Sequence, residues 1–102
     1  MASRQFVIMS RQPAADGQLH PLGSRRDLLE GLAGCNTAPE RAGDDICFGP
    51  GLELHLPPGQ DPVRQMMMTI SDDDIAWIAI INMAKKLEWK ILDPQSGREF
   101  QA

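Results

Sequence analysis

A chain of 102 residues with a net charge of −4, 42% hydrophobic and 24% charged, has the composition of one globular domain, residues 1–102, able to bury roughly two thirds of its unfolded surface without disulfide or metal. The acidic balance argues against nonspecific nucleic-acid binding, which needs clustered Lys and Arg, and no apolar run approaches the ~20 residues of a membrane-spanning helix. The opening MASRQFVIMSRQ shows neither a secretory nor a transit peptide, so a cytoplasmic location is expected.

The first predicted element is a strand over residues 5–10, where Phe6, Val7, Ile8 and Met9 form a short apolar run. Being apolar on both sides, it should lie inside a sheet. Residues 11–22 carry two prolines and a glycine and read as a loop with no phosphate-cradling pattern, so no cofactor is expected there. Ser24 and Asp27 form an S-x-x-D capping box that starts a short amphipathic helix through Leu28, Leu29, Leu32 and Ala33, which Gly34 stops. Arg25 and Arg26 belong to its solvated start. Residues 34–45 are polar, broken by Pro39 and Gly43, and read as a mobile loop.

Residues 46–56 read as one strand, bent or bulged at Gly49-Pro50-Gly51. Beyond the bend, Leu52, Leu54 and Leu56 face one side while Glu53 and His55 face the other. After the turn at 57–63, a strand over 65–70 alternates Met66, Met68 and Ile70 with Gln65, Met67 and Thr69. Pairing Leu54 with Met66 and Leu52 with Met68 puts the apolar rows together and gathers Glu53, His55, Gln65, Met67 and Thr69 on the opposite face.

Ser71 and Asp74 form a second capping box, which predicts a helix from Asp72 to about residue 88, with Asp72–Asp74 at its positive end and Lys85 and Lys86 at its negative end. Consecutive helical residues point about 100° apart, so the three acids cannot converge on one cation. On a helical wheel Ala76, Trp77, Ile80, Ile81, Met83, Ala84 and Leu87 form the core face. Ile75 and Ile78 fall on the opposite arc with Asn82, Lys85 and Lys86. Either a loop such as 11–22 covers them, or they contact another chain.

A final strand over 89–92 leads into Asp93-Pro94-Gln95-Ser96-Gly97, a turn sequence. The order βαββαβ predicts an α+β ferredoxin-like sandwich: two helices on one face of a four-stranded antiparallel sheet, with the first and third strands in the centre. Its open sheet face would present Glu53, His55 and Met67, with Lys90 or Leu92 depending on the orientation of Trp89. Glu53 and His55, two apart on a strand, form a polar patch with no nucleophile beside it, so no catalytic residue is assigned. Cys35 and Cys47 are free thiols, and with His20 and His55 they match no metal-site spacing, so no metal is expected.

The ending AKKLEWKILDPQSG resembles that of various small uncharacterised bacterial proteins, some suspected immunity proteins of toxin systems, in which a helix leads through a short strand into an Asp-Pro-Gln tail. Those helices often end in Leu-Gly, whereas Leu87 is followed here by Glu88. The resemblance carries no functional residue over to this chain. The outward Ile75 and Ile78 and the open sheet face with Glu53, His55 and Met67 lead instead to the expectation of a non-enzymatic interaction module, acting as a homodimer or by capping a protein partner, with a small-molecule-sensing regulatory domain as the alternative. The expected fold also resembles small-molecule-sensing regulatory domains of the ACT type, although Ala15-Asp16-Gly17-Gln18 departs from their glycine-containing ligand loop.

Overall fold

The structure, a computed structural model, describes residues 4–101; Met1–Ser3, part of the stretch from which the absence of a leader was read, lie outside them. Its strands are β1 (Arg4–Ser10), β2 (Ala38–Pro39), β3 (Ile46–Gly49), β4 (Leu52–His55), β5 (Gln65–Ile70), β6 (Trp89–Leu92) and β7 (Glu99–Gln101). They form one antiparallel sheet in the order β2-β3-β4-β5-β1-β6-β7, with helices α1 (Arg25–Ala33) and α2 (Asp73–Leu87). The α+β class holds, but the four-stranded ferredoxin-like sandwich does not: the sheet has seven strands.

Each extra strand has a local cause. Gly49-Pro50-Gly51 is not a bend but a two-residue hairpin turn, pairing Gly49 with Leu52. Proline followed by a residue with positive φ is the type II turn pattern, and Gly51 has φ of 70°. Residues 34–45 contain β2, which pairs Ala38 with Phe48 and Pro39 with Cys47. The Asp93 turn folds the chain back into β7, which pairs with β6. In that turn Asp93 accepts from the Gln95 amide and the Ser96 hydroxyl, which holds its carboxyl below the usual carboxylate range.

Alternation along the strands sends Phe6, Ile8, Cys47, Leu52, Leu54, Met66, Met68, Ile70, Trp89 and Ile91 to the helix side, where they are buried. Leu52 stands opposite Ile70 and Leu54 opposite Met68, two residues from the expected register. A two-residue slip preserves which face each side chain takes. Burial also pushes the Cys47 thiol above its ordinary pKa.

Helix α1 starts as expected, with the Ser24 hydroxyl accepting from the Asp27 amide, and buries Leu28 and Leu32. Arg25 is not a solvated helix-start residue. It donates to the Pro57 carbonyl and pairs with Asp45, tying the helix to two loops. In α2 the cap is Asp72 rather than Ser71: its carboxylate accepts from the Asp74 amide at 3.1 Å, and the helix begins one residue later. It ends on Glu88 in the left-handed region, φ 58°, a position that glycine would occupy without strain. Arg11 closes that end, donating to the carbonyls of Trp89 and Ala84 at 2.8 and 3.0 Å.

Candidate functional site

Both helices pack on one side of the sheet, so the other side has no helix over it. Cross-strand pairing aligns Ile46, His55, Met67, Val7 and Leu92 in one row from β3 through β4, β5 and β1 to β6. A second row runs Phe48, Glu53, Thr69 and Gln5, and a third joins Gln65, Met9 and Lys90. The expected neighbours Glu53, His55, Gln65, Met67 and Thr69 are therefore together. Because Trp89 turns inward, Lys90 and Leu92 both join them.

The face is more apolar than its expected members imply. Met67 is 39% and Phe48 41% exposed, and Ile46, Val7, Met9 and Leu92 are half-buried among their strand neighbours. Sequence reading missed Ile46, Val7, Met9 and Phe48 here. The signal was present in the run Phe6 to Met9: a strand apolar on both sides delivers Val7 and Met9 to whichever face lacks helices. The charged groups of the face are paired within the chain, His55 Nε2 lying 3.2 Å from Glu53 Oε2 and Lys90 Nζ 3.0 Å from Glu99 Oε2.

Ile75 and Ile78 lie on the outer side of α2, 51% and 69% exposed. The loop 11–22 does not cover them. It is held against the connection between β4 and β5, where Arg64 donates to the Leu19 carbonyl and Leu22 and Gly23 bond to Val63. The two isoleucines instead border a shallow depression of about 600 Å³ with Cys35, Pro50 and Ala79. Ile81, expected in the core, is 44% exposed, because α2 buries a narrower stripe of Ala76, Ile80, Met83 and Ala84. The structure thus separates the expected contact residues into two surfaces: Glu53, His55 and Met67 on the open sheet, Ile75 and Ile78 on the helix layer.

Glu53 and His55 stand on the exposed sheet 3.2 Å apart, with the Thr69 strand position paired opposite Glu53 and Met67 opposite His55. Among the described residues no three His, Cys, Asp or Glu side chains converge as metal ligands, and no helix is long and apolar enough to cross a membrane. The Ala15–Gln18 stretch is an exposed two-residue turn closed by reciprocal backbone bonds. No family model, no curated protein and no solved structure matches the chain.

Proposed function

We propose that the chain is a non-enzymatic protein interaction module that associates with a second copy of itself through the open face of its sheet. The observation that carries this reading is the row Ile46, His55, Met67, Val7 and Leu92, four of whose five side chains are apolar, which crosses the face that no helix covers. Contiguous apolar surface of this kind marks contact sites, and a two-fold axis lets one patch serve both partners. A chain of net charge −4 must meet its copy where repulsion is least. On this face the carboxylates of Glu53 and Glu99 each have a nitrogen partner in the same chain.

Sedimentation velocity over about 1 to 200 μM should give a dimer for the wild type and a monomer for Met67→Glu. Met67 is already exposed, so the variant should retain its helical and sheet circular dichroism. Ile75→Asp combined with Ile78→Asp, on the other side of the molecule, should leave the dimer intact. A wild type monomeric across the range would sink the proposal, as would a dimer broken by the isoleucine changes alone.

A further inference from the structure

The helix layer is narrower than the sheet, and the mismatch leaves a groove at one side. Phe100 on β7 pairs with Ile91 on β6, which in turn pairs with Ile8 on β1, so all three point toward the helices. Trp77 of α2 meets Phe6 of β1 edge to face at 5.6 Å between ring centres, fixing the helix over the interior strands. Phe100 lies beyond that cover and is 41% exposed. Between them is a groove of about 700 Å³ lined by Trp77, Ile81, Ala84 and Ile91, with Phe100 on the far side. Its volume is in the range of small-molecule sites, roughly 300–1,000 Å³.

Among the described residues the charged side chains of this lining are Arg4 and Lys85, both cationic, with no carboxylate. That is a strong local bias in a chain carrying four more acids than bases. The guanidinium of Arg4 stacks 4.9 Å above the Phe6 ring. The acid whose titration Arg4 influences, Asp93, is already engaged by Gln95 and Ser96 in its own turn. Apolar walls with two cations in the lining, and the nearest coupled carboxylate, Asp93, outside it, are complementary to an amphipathic anion.

We infer that this groove binds a carboxylic acid with a hydrocarbon or aromatic body, the body lying against Trp77, Ile81, Ile91 and Phe100 and the carboxylate against Arg4 and Lys85. Trp77 lines the groove and supplies the signal. Titrating the full chain with decanoate below its micelle concentration should change tryptophan fluorescence saturably. Decyltrimethylammonium, the same tail with a cationic head, should bind about tenfold more weakly or not at all. Lys85→Glu should weaken decanoate by about tenfold, the loss of one charge contact in a partly solvated site. Ile81→Glu should remove binding, and because Ile81 is exposed, thermal unfolding should show the fold retained. The inference is overturned if decanoate fails to saturate, if the cation binds equally well, or if Lys85→Glu leaves the affinity unchanged. The groove lies on the helix side of the sheet, so these outcomes are independent of association through the open face.

Discussion

Arg11 shows how much of this fold hangs on one long-range side chain. The last carbonyls of a helix have no intrahelical partner, and they carry the negative end of its dipole. At the end of α2 the Arg11 guanidinium sets a cation near that negative end, adding a second donor to the Ala84 carbonyl, which already accepts from the Glu88 amide. It also bonds the Trp89 carbonyl just beyond in β6, while its own amide donates to the Glu88 carbonyl at 3.1 Å. One residue thereby joins the end of β1, the end of α2 and the start of β6. Arg11→Ala leaves two partly buried carbonyls without this donor and should cost about 2 kcal/mol, read as a lower midpoint in urea unfolding at unchanged slope. A loss within 0.5 kcal/mol, the range of surface substitutions, would show that water replaces the guanidinium freely. No local pattern marks Arg11 in the sequence, because its partners are more than seventy residues away.

At the scale of elements, the turn between β3 and β4 locks the sheet to α2. The Gly51 carbonyl accepts from the amides of Ser71 and Asp72 just before the helix. A Cβ on Gly51 would stand 2.7 Å from the Asp72 carbonyl oxygen and 3.2 Å from the Ala76 nitrogen. Gly51→Ala therefore combines a positive φ with a backbone collision and should destabilise by about 2–4 kcal/mol in chemical denaturation. This junction also explains the shifted helix start. With the amides of Ser71 and Asp72 bonded to Gly51, capping falls to Asp72, although the Ser71 box is equally good as a sequence. What was legible followed period and cap: the α1 start, both helices, and the alternation in β4 and β5; the orientation of Trp89, left open by the sequence, is inward. What was not depended on partners distant in the chain. Pro-Gly fits a bend or a hairpin until a neighbouring strand selects one, and β7 is too short to announce itself without β6 beside it. Ile81 was misplaced because a wheel shows where apolar residues point, while the width of the covering layer decides which are buried.

At the scale of the whole molecule, charge and shape set how self-association responds to salt. The molecule measures 39 × 34 × 22 Å, and two copies stacked along the shortest dimension, the closest approach open to them, have centres about 22 Å apart. Two bodies of charge −4 at that distance repel by about 3 kcal/mol in unscreened water. A screening length of about 30 Å near 10 mM salt leaves roughly half of this, whereas about 8 Å at 150 mM leaves almost none. If apolar contact drives the dimer and its ion pairs stay within each chain, raising NaCl from about 10 to 150 mM should tighten it by about 1 kcal/mol, roughly fivefold in dissociation constant. An interface held by ion pairs between the chains would respond in the opposite direction, because the same screening would weaken its attraction. Sedimentation equilibrium at the two salt concentrations reads the sign directly. Tightening with salt fits the apolar row across the open face, and loosening would mean that Glu53, His55, Lys90 and Glu99 exchange partners between copies.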